Sequence, residues 1–478
     1  MTSTARFITL AGAESFELLA TDEREMIIET SHIESPPQRL PLLALYIANG
    51  VSRTGDVLMF LAVPWFVLQT TGSVTQTGVA AFCSTASVAL SAVVGSAFVD
   101  RAGYQRASVV SDLASMLGVA CIPLLDMTVG LPFWALLVLV FVAGLLTTPG
   151  ATARQSLLPD LAHRADVRLE RATAAADGVI RLSRFVGAPL AGILIAIIGT
   201  SNLLWIDAAT FAFSALAVGF AVPAPQAAAA RETLESPPLD IELVEPLALP
   251  APSFARDARV SEAETSVAEP TQGYFARVAS GFAFLWRDPW LRFTLLAVLI
   301  TNLLDAGMSG VLAPAFVKQV YGNAVVLGAL IAGFGGAAFA GTLVFGAIGH
   351  RLPRQLTLGL TFTLGGASRF FWIVLLAPFP VAMIAVQALC GFFIGPVNPL
   401  IDTIAYERVP AAMRARVFGA LTAGVMLGAP LGGLLAGVLA PAIGVEPSML
   451  LFGVVYSVAT LSLLVNPRLR VLALRPTT

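Results

Sequence analysis

The chain has 478 residues, 57% of them hydrophobic and only 12% charged, with a mean hydropathy of +0.82 and a formal net charge of −2. Soluble domains average roughly 45–50% apolar and about 25% charged, so this composition excludes a soluble globular protein and points to an integral membrane protein. The near-neutral charge balance gives no reason to expect nucleic acid as a partner; the lipid bilayer is the first partner implied.

In chain order, residues 1–41 lack a basic n-region and have acids interrupting every apolar stretch, which predicts a cytoplasmic tail and no cleaved signal peptide. Twelve apolar runs follow, at 42–68, 75–99, 106–126, 131–152, 172–199, 202–222, 291–318, 324–348, 355–377, 380–404, 413–441 and 447–467. Each has about the 20 residues that cross a hydrocarbon core, and a span must satisfy its own backbone hydrogen bonds, so the fold class is all-α with twelve transmembrane helices. Residues 42–222 form one six-helix bundle and 291–467 the other. Between them, 223–290 is a Pro-, Ala- and Glu-rich cytoplasmic linker. Its last part, "YFARVASGFAFLW", spaces Phe275, Val278, Phe282 and Leu285 as a surface helix on the inner leaflet. Residues 468–478 are a second cytoplasmic tail. Arg101/Arg106, Arg164/Arg168/Arg171, Arg351/Arg354 and Arg408/Arg414/Arg416 mark the loops on one side, whereas the opposite loops hold one base, Lys318. The positive-inside rule places both termini in the cytoplasm. Cys83, Cys121 and Cys390 fall within spans and form no C-x-x-C pair, so they are packing residues.

Ionisable residues inside spans are functional candidates because each costs about 2.5–3.5 kcal/mol at a helix centre. In the first span Asn49, Arg53 and Asp56 form one polar stripe at i, i+4, i+7, and in the seventh Asn302 and Asp305 share a face with Ser309. A carboxylate out of water holds a proton more readily and a guanidinium beside it opposes that, so such a group can trade a proton for a cationic ligand. The alternative for Asp56 is a structural ion pair with Arg53; Asp305 has no base at i±3 or i±4. Asp177, Arg181 and Arg184 in the fifth span, with Arg154 at the end of the fourth, read as a structural or gating network. The aromatics Phe60, Trp65 and Phe316 either line a central cavity or face lipid.

The halves repeat. "PWFVLQTTGSVTQTG" (64–78) lies over "PAFVKQVYGNAVVLG" (314–328) at an offset of 250, and "GAPLAG" (187–192) matches "GAPLGG" (428–433). Six spans is an even number, so the two bundles run parallel, related by an axis along the membrane normal with the substrate site between them.

Between the second and third spans, "GSAFVDRAGYQR" places Gly95, Asp100, Arg101, Gly103 and Arg106 in the pattern G-x(3-4)-D-[RK]-x-G-x-x-[RK]. This resembles the signature loop of the major facilitator superfamily, with Gln105 where a base is common and His350 replacing the aspartate in the second-half copy. The resemblance implies a cytoplasmic gate latched to the eleventh helix, near Arg414 and Arg416; the alternative is a loop held inside by charge alone. "GAPLAG", with Pro189 and Gly192, partly resembles the Gly-Pro motif of the superfamily's drug antiporters. The whole is similar to bacterial multidrug exporters of the tetracycline and aminoglycoside efflux type. That similarity implies a proton-driven exporter of lipophilic or cationic compounds in the plasma membrane, a monomer whose partners are protons and a small-molecule substrate. Export of one endogenous metabolite such as a siderophore, and a non-transporting scaffold or sensor, are the other readings. No P-loop, H-E-x-x-H or G-x-S-x-G is present, so neither an ATP-driven pump nor an enzyme is expected, and no cofactor or metal is called for.

Overall fold

The computed structural model describes residues 38–223, 282–410 and 413–465. The expected tails up to residue 37 and from 466 on, and residues 224–281 of the expected linker, lie outside the described residues. Of the expected surface helix, 282–287 are described and helical, but Leu285 is fully buried in the bundle core, so this residue is packed against protein and not dipped into lipid.

The first half begins with α1 (Arg39–Thr71), α2 (Val74–Ala102), α3 (Tyr104–Thr128) and α4 (Phe133–Arg164). Next comes one continuous run, Leu169–Ala221, 53 residues long and interrupted by Gly199 at φ 80. That conformation is open only to glycine at no steric cost, and it turns the run into two helices, α5 (169–198) and α6 (200–221). The contacts prove the reversal. On the way out Tyr46 of α1 donates to Ala172 O, and Ser183 donates to Gly50 O. On the return Thr200 bonds Gln69, while Ser214 sits level with Ser52, both of them on Arg154.

The second half repeats the plan. It has α7 (Pro289–Val320), α8 (Ala324–Ile348), α9 (Arg354–Leu375), α10 (Pro380–Arg408), α11 (Arg414–Ile443) and α12 (Val445–Val465). Among the described residues, ten helical runs are long and apolar enough to cross a membrane, the hinged α5–α6 run counting as one and α2 lying outside that ten. Helices α7 and α9 each carry a π-helical turn, Met308–Leu312 and Phe362–Ala367.

The expected fourth span ends at 152, yet α4 continues to Arg164. Its extension is amphipathic: Leu157, Leu158, Leu161 and Ala162 bury against Leu42 and Leu45 of α1 and Val218 of α6, forming a small second core.

The sequence repeat reappears as contacts. Within halves, α1 packs on α5 as α7 does on α11, and α3 packs on α6 as α9 does on α12. Gln105 donates its amide to Val222 O at 2.6 Å, satisfying a carbonyl left open at the end of α6. Its counterpart 250 positions on, Gln355, donates to Leu463 O at 3.0 Å at the end of α12. Gln105 is therefore a helix cap, which is why a base is absent there.

Candidate transport site

The two halves meet where α2 packs on α11 and α5 on α8, and glycines make both contacts. A Cβ on Gly78 would stand 2.6 Å from Gly437 Cα, and one on Gly192 would stand 2.7 Å from Ala324 O and 3.0 Å from Gly328 Cα. Gly78 and Gly328 are the aligned positions of the first repeat, and Gly192 and Gly433 of the second. In both copies of "GAPL" the first glycine faces the same half (Gly187 on Val57, Gly428 on Leu299) and the last faces the other half (Gly192 on Gly328, Gly433 on Ala81). The motif is thus a two-sided small-residue spacer. On the same end of the bundle, Lys318 Nζ donates to Leu68 O, the residue 250 positions earlier, so α1 and α7 touch on the pseudo-twofold axis. The halves are closed together at this end.

Within the closed cleft, Arg53 and Asp56 of α1 form an ion pair at 3.3 Å, with 34% and 27% of their side chains exposed. The ion pair of the structural reading is present, and both groups remain partly exposed. Asn49, one turn below, is half-buried.

The second half answers with Asp305 on α7. Its carboxylate is paired with Arg369 of α9 and lies 3.5 Å from the Tyr456 hydroxyl of α12, with 38% of the side chain exposed. Arg369 is itself enclosed. Its guanidinium stacks over Phe334 at 4.7 Å and Phe370 at 5.1 Å, and Gln387 bonds its carbonyl. The π turn Met308–Leu312 begins three residues after Asp305 and Phe362–Ala367 ends two residues before Arg369, an arrangement that re-aims side chains and recurs at functional sites. Arg369 was absent from the sequence reading, although a lone arginine in "SRFFWIVLL" is the same signal that marked Asp305. Asn302 turns back to bond Val298 O of its own helix at 2.8 Å.

Arg154 does not join Asp177, Arg181 or Arg184. It is 2% exposed inside the first half, where Nη1 reaches Asp112 Oδ2 at 2.6 Å and Ser214 at 3.2 Å, and Nη2 reaches Ser52 at 3.1 Å. Asp112 is fully buried and also accepts from Ser214 at 2.7 Å. Four helices are tied by this one pair, because a buried charge must be both paired and hydrogen-bonded. Asp177, Arg181 and Arg184 are exposed on α5, and no ion pair links them among the described residues. Arg181 lies over the Phe339 ring of α8 at 5.8 Å, and Pro189 stands within α5 without breaking it. Asp207 is fully buried on α6 with Oδ2 unpartnered.

Of the aromatics, Trp65 and Phe316 are 2% and 0% exposed and belong to the packed core, so neither lines a cavity nor meets lipid; Phe60 is exposed.

At the other end of the bundle the signature loop shows why its glycines are there. A Cβ on Gly95 would stand 2.9 Å from Pro149 of α4, and Gly103 breaks the chain between α2 and α3 at φ 78. Arg101 and Arg106 are exposed. The side chains of Asp100 and Arg416 lie outside the described residues. Arg414 donates to Tyr406 O and Val409 O and stacks on Tyr406, all within its own half. Next to it Arg354 grips Glu407 with two hydrogen bonds, and Arg408 bonds Asp288 at 3.0 Å. In this conformation Arg414 is a brace of the second half.

The family model described as Major Facilitator Superfamily matches residues 45–322 and 295–477. "Multidrug efflux pump Tap" of Mycolicibacterium fortuitum is 29% identical over 429 residues, covering 87% of this chain and 95% of that protein. The protein of the same name from Mycobacterium tuberculosis (strain ATCC 25618 / H37Rv) is 29% identical over 442 residues, with 92% and 96% covered. Among solved structures, the nucleoside transporter NupG superposes with a TM-score of 0.64 at 12% identity, covering 89% of this chain and 98% of that one. A POT family transporter in complex with 5-aminolevulinic acid gives 0.62 at 13%, covering 91% and 99%. These two similarities speak to the fold alone.

Proposed function

We propose, from the premise that this chain belongs to the Major Facilitator Superfamily, that it is a proton-driven exporter of lipophilic compounds working by alternating access. It is a membrane transporter and not an enzyme. The observation that carries the mechanism is the matched pair of charged groups, Arg53–Asp56 on α1 and Asp305–Arg369 across α7 and α9. The two carboxylates, Asp56 on α1 and Asp305 on α7, stand on equivalent helices of the two halves and are both partly exposed.

Each carboxylate has three partners that exclude one another: an arginine, a proton and a cationic group on a substrate. Protonation neutralises the carboxylate and frees the arginine; binding of a cationic group on the substrate expels the proton. An intramembrane carboxylate that alternates this way couples the two fluxes without any covalent step. The closed end, held by the Gly78–Gly437 and Gly192–Gly328 approaches and by Lys318, is the outer one in this reading. The loop with Gly95, Gly103, Arg101 and Arg106 is then the inner gate, both termini are cytoplasmic, and the membrane is the plasma membrane. A single copy carries the whole cleft, so a monomer suffices. The relatives' names favour export over import, and lipophilic drugs as the substrate class.

The test is ethidium accumulation in an efflux-deficient bacterial host. Cells expressing the wild type exclude the dye only while the proton gradient is intact, and Asp56→Asn or Asp305→Asn abolishes exclusion at equal membrane expression. Exclusion that survives an uncoupler, or survives both substitutions, contradicts the proposal.

A further inference from the structure

The first half carries three arginines at mid-helix, Arg53 on α1 and Arg181 and Arg184 on α5, and among the described residues only Arg53 makes an ion pair. Ser183 bonds Gly50 O at 2.9 Å and Gly187 rests on Val57 and Thr54, so Arg184, lying between those two residues on α5, comes level with Arg53 on α1. Arg181 and Arg184 lie one turn apart on α5 and are both exposed. Arg53 gives Nη1 to Asp56 and keeps a buried Nε without a hydrogen-bond partner. Arg181 and Arg184 make no ion pair among the described residues. On α1 Asp56 is shared with Arg53, on α5 Asp177 is exposed one turn below Arg181, and on α6 Asp207 is fully buried and bonded to Thr210. The helix packed against α5 offers no relief, because α8 ("AVVLGALIAGFGGAAFAGTLVFGAI") has no ionisable residue, and Asp305 across the cleft is held by Arg369.

Guanidiniums without an acid partner, as at Arg181 and Arg184, are expensive inside a membrane unless something negative visits them. Arg184 is fifteen residues from either end of α5 (169 and 199), about 22 Å at 1.5 Å per residue, which is too deep for a lipid phosphate in its leaflet. A topology signal belongs in a loop, not here. What remains is a solute in the cleft.

We infer that Arg184, with Arg53 and Arg181, forms an anion subsite that receives a carboxylate or comparable anionic oxygen group on the transported molecule. The inference rests on the efflux reading and narrows its substrate class: a lipophilic zwitterion, its anionic group on α5 and α1 and its cationic group toward Asp305. A guanidinium offers paired N–H donors to such a group, a geometry that a lysine ammonium does not reproduce.

The test uses the purified full chain in detergent and two dyes that differ in one group, rhodamine 110 with a free carboxylate and rhodamine 123, its methyl ester. Fluorescence anisotropy gives both affinities. The wild type binds rhodamine 110 about tenfold more tightly, the scale of one charge-assisted hydrogen-bonded contact. Arg184→Gln brings the ratio to about one, and Arg184→Lys falls between because charge is kept and the fork is lost. Equal binding of the two dyes by the wild type overturns the inference, as does a ratio unchanged in a folded Arg184→Gln. Rhodamine 110 export by wild-type cells is scored separately. If it fails while the tenfold preference stands, the efflux reading falls and the anion subsite does not.

Discussion

Adding a side chain at Gly328 should pry open the closed end of the cleft. A Cβ there would stand 2.7 Å from Ala188 O and 3.0 Å from Gly192 Cα, whereas ordinary contact begins at 3.4 Å. The shortfalls are about 0.7 and 0.4 Å, both against backbone that has no rotamer with which to move aside. For Gly328→Val the helices α5 and α8 must therefore separate. Overpacking of this kind costs about 1–3 kcal/mol. The strain exists only while the halves are closed here, so it shifts the closed-to-open ratio by about 5- to 150-fold. Spin labels at Thr70 and Val320, both exposed near this end, report the shift by double electron–electron resonance in a background free of Cys83, Cys121 and Cys390. The variant gains a longer-distance population that the parent lacks. Unchanged distances in a folded Gly328→Val refute the reasoning, since the added methyls would then have been absorbed without parting the halves.

Other expectations follow from the buried groups. Arg154→Met strands the Asp112 carboxylate and costs about 3–5 kcal/mol, read as a lowered unfolding temperature in detergent, while Asp112→Leu with Arg154→Met recovers most of the loss. Gln105→Ala removes the cap on α6 and costs about 1 kcal/mol, seen as faster hydrogen exchange confined to that helix end; Gln355→Ala does the same for α12.

The spans were legible because the bilayer imposes a length that any apolar run must meet, and the glycine repeats were legible because close helix approach tolerates almost no other residue. Side-chain partners across helices were not. Asp305 has no base at i±3 or i±4 on its own helix, because its partner Arg369 arrives from 64 positions away. Asp112 and Arg154 lie 42 positions apart on different helices, and only the folded first half makes them one buried pair. Gln105 looked like a departure from a motif until the end of α6 supplied its acceptors. Trp65 and Phe316 carry no sequence mark that separates core from cavity.

The most direct test of proton coupling is a flux measurement on the purified chain in proteoliposomes with pyranine trapped inside. Ethidium added outside moves inward down its gradient, protons leave in exchange, and the lumenal pH rises in the wild type but not with Asp305→Asn. A pH rise equal in wild type and variant, or ethidium entry with no pH change in the wild type, would contradict the claim that these carboxylates carry the exchanged proton.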